Sequence, residues 1–111
     1  MNLTRGKNLT QNVMGDLGQS IVLGKYKFNE PFPTEAALGE QFGVSRSIIR
    51  EAVKMLTSKG MLSARPRQGT RVRPEEDWNI LDVEVLEWFL QKTLSLSLLE
   101  EFTEIRLAVE P

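Results

Sequence analysis

The sequence predicts a mainly α fold with one small β-hairpin: a winged helix-turn-helix, followed by further helical segments. Three observations carry that prediction. Ile49, Ala52, Val53 and Leu56 recur at i, i+3, i+4 and i+7 and mark an amphipathic helix. A shorter helical segment ends at Gly43, leaving a turn of about three residues between the two. Downstream, two short runs flank a Pro-Arg-Gln-Gly loop, the pattern of a hairpin.

Residues 1–8 are polar and are expected to form a flexible N-terminus. Leu9, Val13, Leu17 and Ile21 then recur every four residues, with Met14 and Val22 beside them. They predict a first helix from about Leu9 to Leu23, weakened by Gly15 and Gly18 and closed by Gly24. Lys25 to Pro33 is a turn-rich connector in which Pro31 and Pro33 forbid helix, and Asn29 tolerates a left-handed backbone.

Thr34 caps a second helix with Glu35 in its first turn, where the helix dipole favours an anion. Ala37, Leu38 and Phe42 are its expected buried side. Gly43 makes the turn, Ser45 caps the third helix and Gly60 ends it. Leu62–Arg65 and Thr70–Arg73 are the hairpin strands. Pro74–Trp78 reads as a linker. Asp82 caps a further helix, and Ser97 with Glu100 forms a capping-box pattern for a last one striped by Leu98, Phe102, Ile105 and Val109. The domain division is therefore 1–8, 9–73, 74–78 and 79–111.

The formal charge of −1 conceals an asymmetry. From Arg46 to Arg73 there are eight basic residues and one acid, a local charge of +7. From Pro74 onward ten acids face two basic residues, a charge of −8. A local positive patch is what a polyanion meets, whatever the overall balance. The chain has no cysteine and no histidine. Disulfides, thiol catalysis and the usual metal sites and general-base triads lose their residues, and a reducing cytoplasm fits. No apolar run is long enough to span a bilayer, and the N-terminus lacks a secretory core segment. A soluble, cytoplasmic protein with no membrane partner, no cofactor, no metal and no catalytic residues is the expectation.

Arg46, Ser47, Arg50 and Lys54 fall on the side of the third helix opposite its apolar stripe. Two arginines one turn apart suit a DNA major groove, since each planar fork matches guanine O6 and N7 or a phosphate. The candidate DNA-contacting set is Thr34, Ser45, Arg46, Ser47, Arg50, Lys54, Arg67, Gln68 and Gly69. Ser45 has a capping duty with or without DNA, whereas Ser47 is free of it. Lys54 also reads as a solvating charge, and Gly69 as a backbone necessity. Arg65, Arg67, Arg71 and Arg73 have a second reading as charges that protect edge strands. Arg67, at the hairpin tip, favours phosphate contact, while Arg71 and Arg73 are evenly balanced. Glu51 reads as a surface salt bridge, Glu75-Glu76-Asp77 as solvated linker, and Trp78, Trp88 and Phe89 as interface core.

Pro33-Thr34-Glu35, Leu38, Phe42-Gly43-Val44-Ser45-Arg46, Ile49-Arg50-Glu51-Ala52, Leu56, Gly60, Gly69-Thr70 and Val72 together resemble the signature of the GntR family of bacterial transcription regulators. Asn79-Ile80-Leu81-Asp82 with Val85-Leu86-Glu87-Trp88, and Glu104-Ile105-Arg106-Leu107 with Glu110-Pro111, are similar to the opening of the all-helical effector domain of the FadR-type subfamily, with a narrower likeness to regulators of sugar-acid catabolism. The resemblance implies a winged helix that binds a palindromic operator as a homodimer, and a small-molecule effector such as a sugar acid or other carboxylate. That effector binds the C-terminal domain, of which this chain holds only the start. Arg106 reads first as a surface cation; under that likeness its second reading is that it faces an effector carboxylate. Three departures stand out. Ala36 replaces a frequent arginine, so one DNA contact is missing. Asn29 replaces a connector glycine, and Arg67 replaces the first wing glycine. The competing reading is a winged-helix protein-interaction module without specific DNA binding.

Overall fold

The computed structural model describes the backbone of residues 2–109 and the side chains of residues 8–96. In chain order they form α1 (Asn2–Val22), α2 (Glu35–Phe42), α3 (Arg46–Ser58), β1 (Leu62–Arg65), β2 (Gly69–Val72), a 3₁₀ turn at Glu75–Asp77 and α4 (Val83–Val109). The fold is a mostly helical winged helix-turn-helix, as the sequence predicts.

The core lies where α1, α3 and the hairpin meet. From α1 it takes Val13, Met14, Leu17, Ile21 and Val22, and from α3 Ile49, Ala52 and Leu56. Met61, Leu62 and Val72 close it from the hairpin side. Thr34 Oγ1 accepts from the Ala37 N–H at 3.0 Å, and Ser45 Oγ accepts from the Ile48 N–H at 3.3 Å, so both predicted caps form. Gly43 closes α2 in the left-handed region at φ 67°. The strands pair antiparallel with Leu62 opposite Val72 and Arg65 opposite Gly69. The connector is more than a turn. Phe32 donates its N–H to the Thr70 carbonyl and Asn29 to that of Val72, so this segment runs along the free edge of β2. Asn29 sits at φ 64°, the conformation its residue type tolerates.

Three expectations fail. First, α1 begins at Asn2 and not near Leu9, so residues 2–8 are helical. Once a helix is nucleated each added residue gains a backbone hydrogen bond, and no proline stops it there. Second, Ala37 is exposed, and the buried residues of α2 are Leu38 and Gly39. A Cβ on Gly39 would come within 3.1 Å of the Val44 carbonyl, so the turn packs against a bare backbone. Third, no helix starts at Ser97. The chain from Val83 to Val109 is one helix, because it contains no glycine or proline to interrupt it. The side chains of Ser97, Leu98, Glu100, Phe102, Ile105, Arg106 and Val109 lie outside the described residues.

α4 packs on α1 through a fitted contact. The Trp88 indole lies on Gly18, where a Cβ would collide with the ring. Val85 beside it is fully buried. Gln19 and Gln91 bond at 3.0 Å, and Lys92 Nζ donates to the Val22 carbonyl at the end of α1. Trp78 stacks at a tilt on Phe89, so Trp78, Trp88 and Phe89 form interface core as expected. We predict that Gly18→Ala is destabilising. Alanine gains up to about 1 kcal/mol as a helix former, but overpacking costs about 1–3 kcal/mol. A lowered melting temperature with red-shifted tryptophan emission is expected. A raised melting temperature with unchanged emission would contradict the fit.

Candidate nucleic-acid interface

The apolar stripe of α3 locks onto α1 and α2, so its other face is held outward. Ile49, Ala52 and Leu56 have no exposure, whereas Ser45, Arg46, Ser47, Arg50 and Lys54 are all exposed. Arg46 and Arg50 are one helical turn apart and share a face. Among the described residues Lys54 pairs with Glu51, at 3.4 Å between two exposed side chains, which is the surface pair expected for Glu51.

The structure brings the start of α2 onto the same face. Glu35, its first residue, accepts from both Nε (3.3 Å) and Nη2 (3.2 Å) of Arg50. That hydrogen bond, then the charge of the carboxylate, raises the Arg50 pKa above its usual value. The pairing crosses 15 positions of sequence, and nothing in the periodicity of either helix signals it. Glu35, Arg50 and Lys54 line one groove of about 420 Å³ with Val53, Ala64 and Thr70. Thr34 and Glu35 also border a neighbouring cleft that reaches Gly69. Four of the nine predicted residues, Thr34, Arg50, Lys54 and Gly69, line these two grooves. Arg46 and Ser47 line neither groove and stand in the first turn of α3. Thr57, Ser58, Ala64 and Thr70 were not expected there; the hydroxyls of Thr57 and Ser58 are spent on helix carbonyls of α3.

The hairpin tip is a strained turn. Gln68 donates its N–H to the Arg65 carbonyl, with Pro66 and Arg67 between them. Proline then a residue at positive φ is a type II turn, whose third position ordinarily takes glycine. Arg67 holds it at φ 67°, and Gly69 follows at φ 72°. A left-handed backbone costs a non-glycine residue about 1–2 kcal/mol. The strain puts a cation at the apex. Arg67→Gly is therefore expected to raise the melting temperature while weakening duplex binding and flattening its salt dependence by about one phosphate contact. Unchanged affinity and salt slope would show that Arg67 touches nothing.

The other wing arginines differ in what holds them. Arg71 donates to the Asn29 carbonyl at 2.8 Å, and Arg73 pairs with Asp77 at 3.2 Å, so the two evenly balanced residues have structural partners. They line a second groove, of about 610 Å³, with Arg65 and Gln68 on the other side of the hairpin. Among the described residues Arg46, Arg65 and Arg67 form no ion pair. No group of three acidic residues among them is placed to hold a metal ion, and no helix is long and apolar enough to cross a membrane. The side chain of Arg106 lies outside the described residues.

Comparison with known proteins decides the family. Residues 9–72 match the model of the bacterial regulatory proteins of the gntR family. The chain belongs to the GntR family. The matched span runs from within α1 to the end of β2. Over 109 residues the chain is 45% identical to the uncharacterized HTH-type transcriptional regulator YieP of Escherichia coli K12, covering 98% of this chain and 47% of that protein. It is 39% identical over 104 residues to the galactonate operon transcriptional repressor of the same organism, covering 94% and 45%. The chain thus spans about half the length of these relatives. The N-terminal domain of AraR, solved in complex with a mutant ORR3, superposes with a TM-score of 0.55 at 38% identity, over 58% of this chain and 91% of that one. The matched family is one of bacterial regulatory proteins.

Proposed function

We propose that this GntR chain is the DNA-reading part of a metabolite-responsive transcription regulator, with the first helix of its effector domain attached. The observation that carries the reading is the outward face of α3. It presents Arg46, Ser47, Arg50 and Lys54 beside a hairpin whose tip is Arg67, Gln68 and Gly69, in a stretch of local charge +7. In this reading α3 enters the major groove. Arg46 and Arg50 meet base edges or phosphates, and Ser47 supplies a hydroxyl. Thr34 and Ser45, at the starts of α2 and α3, bring helix N-termini to the backbone, where anions are favoured. Arg67, Gln68 and Gly69 grip the flanking strand.

Residues 9–73 are the DNA-binding domain, 74–78 the linker, and 79–111 the opening of the effector-binding domain. Leu86, Leu90 and Leu94 recur every four residues along α4 and are exposed, which suits a helix that the rest of a larger domain covers. The full protein binds a palindromic operator as a homodimer and represses a catabolic operon in the cytoplasm. Its effector is a sugar acid or other carboxylate, by likeness to the galactonate repressor, and Arg106 binds that carboxylate. Selection of duplexes from a random pool, followed by gel shifts at several salt concentrations, tests the DNA reading. Enrichment of one palindromic sequence is expected, with affinity that falls steeply as salt rises. No enrichment and no shift would leave the protein-interaction alternative.

A further inference from the structure

Arg50 has two hydrogen-bonding edges, and the fold fills only one. Its side edge donates to Glu35, Nε to Oε2 at 3.3 Å and Nη2 to Oε1 at 3.2 Å. A guanidinium carries five N–H donors in one rigid plane, so the end edge keeps Nη1 and the second Nη2 proton. Those two donors are parallel and match O6 and N7 of a guanine. The holder comes from a separate element. Glu35 opens α2, Arg50 lies in the second turn of α3, and both helices are fixed by their Thr34 and Ser45 caps. The pair is 57% and 40% exposed, so the fold gains little from it. Charge discriminates further. A guanidinium already paired with a carboxylate attracts a phosphate less than a bare one does, but loses little toward a neutral base edge. Arg46 and Arg67, with no ion pair among the described residues, carry no such carboxylate.

We propose that Glu35 is a positioning residue that makes Arg50 a guanine reader rather than a phosphate clamp. Glu35 lowers total DNA affinity and raises sequence discrimination. The inference rests on the DNA-reading function proposed above and names the division of labour within it. Arg50 specifies, while Arg46 and the hairpin tip supply phosphate contact.

The test compares this chain with Glu35→Gln and Glu40→Gln on two probes. One probe is the duplex enriched from a random pool by the unsubstituted chain, and the other is the same duplex with its sequence scrambled. Glu40 is exposed on the same helix, so its substitution removes equal charge without touching Arg50. Circular dichroism confirms that each variant folds. For Glu35→Gln we expect tighter binding to the scrambled duplex by roughly three- to tenfold, with a salt slope steeper by about one phosphate. The ratio of selected to scrambled affinity is expected to fall by about tenfold. Replacing guanines one at a time by 7-deazaguanine, which lacks the N7 acceptor, should weaken the unsubstituted chain at one position and Glu35→Gln hardly at all there. An unchanged ratio, a parallel fall on both probes, or the same change in Glu40→Gln overturns the proposal. If the unsubstituted chain itself does not discriminate the probes, the underlying DNA-reading function fails instead, and the two failures are distinct.

Discussion

Arg50→Ala is expected to lower affinity for the selected duplex by about 10- to 100-fold, the loss of one bidentate base contact, without a change in helical circular dichroism or melting temperature. The separation of the two effects follows from where Arg50 sits. Its side chain is more than half exposed, and among the described residues its hydrogen bonds and ion pair go to Glu35. Such surface pairs contribute little to folding. The apolar stripe that holds α3 in place lies on the opposite face, in Ile49, Ala52 and Leu56. In the proposed reading, binding and stability are therefore carried by different sides of one helix. Gel shifts and a thermal melt on the same preparation check it. Normal affinity in a folded variant would remove Arg50 from the reading face.

The second large effect is expected from Lys59→Met, and it concerns stability. Lys59 caps the C-terminus of α3 with its side chain only 10% exposed. Its ammonium donates to both carboxylate oxygens of Asp82, at 3.0 and 2.9 Å, and to Glu84 at 2.9 Å. Asp82 in turn accepts the N–H groups of Glu84 and Val85, so it caps α4. The Asn79 N–H completes the junction on the Lys59 carbonyl at 2.8 Å. Methionine fills the volume but leaves two carboxylates facing each other. Breaking a fully buried pair costs about 3–5 kcal/mol. Glu84 is 44% exposed, so solvent screening reduces the expected loss to roughly 2 kcal/mol. A melting temperature lower by on the order of 10 °C follows for a domain of this size.

The same junction sets a pH dependence. Burial alone would raise the Asp82 pKa, but the hydrogen bonds from Lys59 and from the Val85 and Glu84 amides outweigh it, and the value is lowered. Its contribution is present above the ordinary carboxylate range and is lost as pH falls through the depressed value. Burial alone would lower the Lys59 pKa, but Asp82 and Glu84 reverse that and raise it. That contribution is complete below the ordinary lysine value and is lost only as pH rises through the raised one. The junction is thus constant across neutral pH and weakens at both extremes. Thermal melts from acid to neutral pH should fall more steeply toward acid for the unsubstituted chain than for Lys59→Met. Parallel profiles would show that the ion pair does not carry the coupling of α3 to α4.

Local signals were legible where local chemistry decides the outcome. Thr34 and Ser45 cap because a side-chain oxygen three residues before an open N–H has little else to do. Gly43, Gly69 and Asn29 take left-handed backbones that few other residues accept. Contacts between elements were not legible. The Glu35–Arg50 pair and the Trp88–Gly18 fit join positions far apart in the chain, and no periodicity within one helix encodes its neighbour. Gly18 read as a weak point in α1 and is instead the seat of an indole ring. The Ser97–Glu100 pattern failed for a different reason. A capping box needs the preceding chain to leave the helix, and nothing between Val83 and Val109 makes it leave.

In the proposed function, the outward face of α3 and the hairpin tip meet a DNA duplex together. Amide chemical-shift changes during titration with the selected duplex test it most directly. Changes are expected to concentrate at Thr34–Glu35, Ser45–Arg50 and Arg67–Gly69, with α4 silent. Changes confined to the exposed Leu86, Leu90 and Leu94 face, with Arg46 to Arg50 unmoved, would contradict it.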